Sequence, residues 1–262
     1  MLGAGFIQAL GPRAVPVERH DLDLGNYRGL GRLLDIHRPG LVINAAGISQ
    51  GTQAELFRIN GNYAAQAAAC CSRAGIAFVF ISSSRIFGAQ TDTVRIEEVR
   101  PQPADDYGWS KFKGEEQVRA LGGHYIVRLP MILGYRSRHP ETQIVNRLIE
   151  CGHEGWPVQA SIDVHHSPLH VSQAVAAVLA LVDGSAAVGT YHVTGADVVT
   201  LKTLVERVFR GLNFEAAVQG VKAARFTANP ILNLTLASSK LPPAGDWKDA
   251  ADRLVAEYLI HR

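Results

Sequence analysis

Cysteine is scarce in this 262-residue chain, which holds only Cys70, Cys71 and Cys151. An odd number, two of them adjacent, argues against a disulfide framework and suits a reducing compartment, so the cytoplasm is the expected location. An excess of charge of one sign is lacking too. Lys and Arg number 26 against 24 Asp and Glu, a formal +2, and no basic run disturbs the balance. That leaves no electrostatic footprint for nucleic acid or for an acidic membrane surface. No apolar run reaches the roughly 18 residues that a membrane span needs. The opening MLGAGFIQAL has neither a basic n-region nor a cleavage pattern, so no secretory signal is read there. Internal repeats and low-complexity tracts are absent as well.

What is present is the material of an ordinary globule: 47% hydrophobic and 19% charged residues. The length suits one large α/β domain, or a domain with a smaller appendage. Leu41-Val42-Ile43-Asn44 follows the turn Arg38-Pro39-Gly40 and reads as a buried strand. From Glu55 to Ala74, apolar residues recur at near-helical spacing until Gly75 stops them. Ile76–Ile81 is uncharged throughout, as a strand covered on both faces would be. A polar, proline-containing loop leads from Phe87 to a helix over Tyr107–Ala120, and a strand follows at His124–Leu129. This alternation predicts a Rossmann-type, doubly wound parallel sheet. Later, Ser172–Val182 and Leu201–Phe209 read as helices around a short strand Tyr191–Val193, with a last helix near Trp247–Tyr258. The expected division is a nucleotide-binding domain over 1–134 and a mixed α/β, mainly substrate-binding region over 135–262.

The chemistry centres on Tyr107-Gly108-Trp109-Ser110-Lys111. Residues four apart on a helix share a face. An ammonium one turn from a phenol favours the phenolate and draws a tyrosine pKa of about 10 toward neutrality. Such a phenol gives a proton to a carbonyl oxygen or takes one from an alcohol. In a chain of this composition chance supplies such a pair about one time in six, so context must decide. Ser83 provides it, at the end of the strand Ile76–Ile81 and 24 residues before Tyr107, where open α/β folds bind their ligands.

In order along the chain stand Arg38–Gly47, Asn60, Ile81–Gly88, the Tyr107–Lys111 segment with Gly114-Glu115, Val127-Arg128, Gly134, and Gly189–Gly195. As a set they resemble the extended short-chain dehydrogenase/reductase superfamily, and within it the dTDP-4-dehydrorhamnose reductases and related sugar-nucleotide enzymes. The resemblance implies Tyr107 as acid/base, Lys111 as its partner and holder of the nicotinamide ribose, and Ser83 as the hydroxyl that orients the carbonyl. It implies that Asn44, Ala45 and Ala46 line the cofactor, with Asn60 bracing the sheet beside them. The implied activity is NAD(P)H-dependent reduction of a nucleotide-linked keto-sugar. An NAD(P)-dependent epimerase and a non-catalytic partner protein of the same fold are the alternatives.

The chain departs from that pattern at its start. A dinucleotide fold opens with a strand and a glycine-rich turn. Here Met1–Phe6 resembles only the end of such a turn, with Gly3 as its last glycine and Phe6–Leu10 as the following helix. Either Met1 is internal to a longer chain or the chain is a remnant; the intact Tyr/Lys/Ser set favours the first. Arg19, after an expected second strand Val15–Val17, suits a 2′-phosphate and hence NADP over NAD, or is a solvated loop residue. Asp23 fits the acidic cofactor position, or caps a helix. His165, His166 and His170 lack companions at ligand spacing, so no metal is expected. Arg128 and Arg136 are candidates for a nucleotide diphosphate. Trp109 is read as packing. The oligomeric state is not legible, with a homodimer the arrangement to test.

Overall fold

The computed structural model describes residues 1–17, 27–89, 94–135 and 143–261. Arg19, Asp23 and Arg136 lie outside these residues. The chain opens with helix α1 (Leu2–Leu10), then α2 (Tyr27–His37) and strand β1 (Leu41–Asn44). A continuous helical run follows: α3 (Gln53–Leu56), a π-helical turn over Phe57–Tyr63, and α4 (Ala64–Arg73). Next come β2 (Ala77–Ser83), α5 (Asp106–Leu121), β3 (Tyr125–Leu129) and β4 (Ile132–Leu133). The second half holds α6 (Ile144–His153), β5 (Val158–Ser161), β6 (His165–His166), β7 (Leu169–His170) and α7 (Val171–Asp183). It ends with β8 (Gly189–His192), β9 (Val199–Thr200), α8 (Leu201–Gly211), β10 (Val218–Val221) and α9 (Trp247–His261).

Four parallel strands form the central sheet in the order β1-β2-β3-β8. The side-chain period of two divides each strand between two cores. Val79 and Ile81 of β2, with Val127 and Leu129 of β3, face α1 and α7. Phe78, Phe80 and Ile126 face the opposite way, against α2 and α4. Covering both faces is what makes these strands read as unbroken apolar runs. The result is the three-layer α/β architecture expected from the sequence. α7 and β8, although they follow residue 134, complete this sheet and its core. A separate apolar cluster joins α6, α8 and α9 around Leu133, Leu204 and Leu254.

Two expectations near the start are corrected. Val15–Val17 forms no strand, and its two valines are 48% and 44% exposed. A strand exists by exchanging backbone hydrogen bonds with a neighbour. Among the described residues the sheet stops at β1, and Pro16 has no N–H to offer. Gly3 lies inside α1 rather than in a turn before a helix; the bond from the Gly5 N–H to the Met1 carbonyl (3.0 Å) already closes the first helical turn. The helices α2 and α6, and the parallel pair β5 and β10, carried no signal singled out in the sequence.

Candidate active site at the carboxyl edge of the sheet

Local chemistry fixes where Tyr107 stands. Asp105 adopts an extended backbone and its carboxylate accepts from the Gly108 N–H (2.7 Å), so α5 begins at Asp106. The helix start presses on the turn after β2. A Cβ at Gly108 would lie 2.5 Å from the Arg85 carbonyl oxygen, so no larger residue fits without movement. Farther along α5, a Cβ at Gly114 would lie 2.6 Å from the Asn60 carbonyl and 2.7 Å from the Phe80 ring. The two glycines let α5 settle against β2 and the π-helical turn.

Ser83 ends β2; its hydroxyl accepts from the Arg85 N–H (3.3 Å) and lies near enough to the Tyr107 phenol to favour its ionised form. One turn along α5, Lys111 is buried, and its Nζ donates to the Ile81 carbonyl (3.0 Å). The same amine stands 5.2 Å from the centre of the Phe80 ring and beside the Cα of Gly47. Asn60, in the π-helical turn, is 1% exposed. Its amide clasps the Ile48 backbone from both sides, Nδ2 donating to the carbonyl (2.8 Å) and Oδ1 accepting from the N–H (3.0 Å). Nδ2 also reaches Ser110 Oγ (3.0 Å), and Ser110 donates to the Tyr107 carbonyl (2.8 Å). One buried chain of bonds thus ties the loop after β1 to the start of α5.

Asn44 is buried at the end of β1, and its Oδ1 accepts from the Ala46 N–H (3.2 Å), turning the chain toward Gly47. Gly3 of α1 faces Ala45, with 3.9 Å between the Ala45 Cβ and the position a Gly3 side chain would take. The structure therefore brings Ser83, Tyr107 and Lys111 together at the carboxyl edge of β2, with Asn44, Ala45, Ala46 and Gly3 gathered at that of β1. Arg19 and Asp23 fall outside the described residues.

The electrostatics differ from the sequence expectation. Burial holds the Tyr107 phenol above the ordinary tyrosine value, against the Ser83 hydroxyl and the Arg85 charge, which lower it; Asp105 adds to the rise. It is Lys111 that yields: burial pushes its amine down to about 8, with Glu115 opposing. Desolvation penalises whichever form is charged, and here it is the largest influence on both groups.

The RmlD substrate binding domain model matches residues 2–258. The chain belongs to that family. Among curated relatives, the dTDP-4-keto-6-deoxy-D-glucose reductase of Streptomyces niveus is 26% identical over 220 residues, covering 80% of this chain and 75% of that protein. The spore coat polysaccharide biosynthesis protein SpsK of Bacillus subtilis is 22% identical across 98% of this chain and 91% of its own length. Among solved structures, a dTDP-4-dehydrorhamnose reductase of Bacillus anthracis in complex with NADP superposes with a TM-score of 0.88 at 23% identity, covering 98% of this chain and 95% of that one. An orthologue from Clostridium acetobutylicum gives 0.89 at 20% identity, covering 100% and 96%.

On this RmlD-type fold several remaining candidates have structural duties. Arg128 is 1% exposed and gripped by Glu115 (Nη2–Oε2 2.7 Å, Nε–Oε1 3.0 Å), with the Glu97 carbonyl and His192 on Nη1. Its donors are engaged in the interior, which corrects the diphosphate expectation. His165 and His166 pair with Thr200 and Val199 across β6 and β9, and burial pushes His166 down to about 4. His170 caps α7 through Ser172 and meets Glu257 (3.2 Å). Trp109 is 47% exposed and tilts toward Phe112 rather than into a core. The hydrogen-bonding of Ser110 and the ion pair of Arg85 escaped the sequence reading. Ser110 lies inside the quoted motif, three residues after Tyr107. Arg85 follows Ser83 by two in a turn, where no period signals its direction.

Proposed function

We propose that this protein is an NADPH-dependent reductase of a nucleotide-linked 4-keto-sugar, with Tyr107 as the acid, Ser83 as the hydroxyl that orients the substrate and Lys111 as a cofactor-holding amine. The observation that carries this reading is the Ser83–Tyr107 hydroxyl pair, one helical turn from a buried amine at the carboxyl edge of a parallel sheet. The reductase names of the relatives support it. Residues 135–262 would supply most of the sugar-nucleotide contacts. No described helix is long and apolar enough to cross a membrane.

The chain's own residues fit a nicotinamide cofactor. The Lys111 amine has three N–H donors and directs one to Ile81, leaving two for ribose hydroxyls. Gly47 leaves room beside that amine, since a Cβ there would lie 3.1 Å from Nζ. The loop Asn44-Ala45-Ala46 offers small side chains against which a nucleotide can lie. When bound, the reduced dinucleotide supplies the hydride. Ser83 and Tyr107 then both donate to the carbonyl oxygen, fixing its direction. As that oxygen gains charge, Tyr107 transfers its phenolic proton to it, and the ketone becomes an alcohol. A phenol raised by burial is fully protonated at neutral pH, the state that a reduction consumes.

The test is oxidation of NADPH by the purified protein with dTDP-4-keto-6-deoxy sugars. Tyr107→Phe should lower kcat by about a hundredfold or more while leaving NADPH affinity unchanged. Full turnover by that variant, or no NADPH binding by the parent protein, would remove the proposal.

A further inference from the structure

Directly above the candidate acid lies an ion pair with no role in the scheme just given. Arg85, two residues beyond Ser83, places its guanidinium carbon 5.6 Å from the centre of the Tyr107 ring. Its Nε donates to Asp105 Oδ2 (3.0 Å), and its Nη2 bonds the same oxygen. The other Asp105 oxygen caps α5 at Gly108. The carboxylate is therefore anchored to the helix that carries Tyr107, and it anchors the guanidinium in turn. The pair is open to solvent, the Arg85 side chain being 45% and that of Asp105 28% exposed.

We propose that Arg85 and Asp105 are positioning residues that tune the acidity of the Tyr107 phenol in opposite directions, the guanidinium favouring its ionised form and the carboxylate its neutral one. The inference rests on Tyr107 being the acid. The geometry singles out these two charges. On the same helix Asp106 is turned to Gln53 of α3 (2.8 Å), and Lys111 is directed to the Ile81 carbonyl. Glu55 of α3 is occupied by Thr52. Hydrogen bonds from the π-helical turn toward Tyr107 run through the neutral Asn60–Ser110 link. β2 presents the neutral Ser83. Arg85, 5.6 Å from the ring centre, and Asp105, held between that guanidinium and the start of α5, are the charges of opposite sign that stand beside the phenol.

The direct readout is titration of Tyr107 in tyrosine-labelled protein by NMR, its resonance assigned as the one missing in Tyr107→Phe. Arg85→Met should move the midpoint up by roughly half a pH unit, the shift a half-exposed cation over a ring supports. Arg85→Lys should restore much of it. Asp105→Asn, which keeps a competent helix cap, should move it down. The limb on which reduction declines with rising pH should shift the same way in each variant, and high salt should shrink the differences. Equal midpoints in all three variants overturn the proposal. So does a rise in KM without a shift in the pH profile of Arg85→Met, which would make Arg85 a contact for an anionic substrate. Turnover by Tyr107→Phe would overturn the assignment of the acid instead, a failure seen in activity and not in the titration.

Discussion

Replacing Lys111 by methionine should make the cofactor-free protein more stable at neutral pH while abolishing the proposed activity. Lys111 is 5% exposed, and burial brings its amine from 10.5 down to about 8. Below pH 8 the folded and unfolded chains both carry the charge, and the fold bears its whole desolvation. Between 8 and 10.5 the folded amine is neutral while the unfolded one still binds a proton, so stability rises with pH. Above 10.5 both are neutral and the rise ends. The interval corresponds to roughly 3 kcal/mol. Methionine matches the stem and has no charge to desolvate, but it forfeits the bond to the Ile81 carbonyl, a loss of about 1 kcal/mol. The net gain at pH 7 is about 2 kcal/mol. Urea denaturation of both proteins at pH 7 and near pH 10 reads it out. The variant should lead at pH 7, and the parent protein should overtake it near pH 10. A stability difference that stays flat across that range would refute the argument, because the amine would then be solvated.

Two further perturbations probe the frame of the site. Glu115→Ala strands Arg128 in the interior and should destabilise the fold by about 3–5 kcal/mol, whereas Glu115→Leu combined with Arg128→Met should recover most of it; urea midpoints decide between them. Gly108→Ala drives a methyl against the Arg85 carbonyl and should displace Tyr107 from Ser83, lowering kcat at least tenfold while NADPH affinity holds. Unchanged kcat in that variant would mean that the close approach of α5 to the turn is not needed for alignment.

The strands β1, β2 and β3 and the helix α5 were legible because each obeys one simple rule. Apolar runs without charge mark strands covered twice, and the Tyr107–Lys111 spacing marks one helix face. Ser83 was legible as well, since the end of a buried strand is a defined place in an open sheet. Local pattern thus pointed to the layered α/β fold and to Tyr107, Lys111 and Ser83 as candidates, while their roles came from the resemblance of the ordered motifs to a known family. The direction of the proton affinities the sequence did not specify. Spacing brings Lys111 under Tyr107, but desolvation depends on what closes over them, and that is contributed by β2, the π-helical turn and the Gly47 loop. The fate of Arg128 was likewise hidden, since its partners Glu115, Glu97 and His192 come from three segments that meet only in the folded chain. The pairing of Arg85 with Asp105 across 20 residues belongs to the same class. Local pattern determines which groups a chain carries and on which face; dielectric surroundings and long-range ion pairs exist only once the tertiary structure has excluded the water.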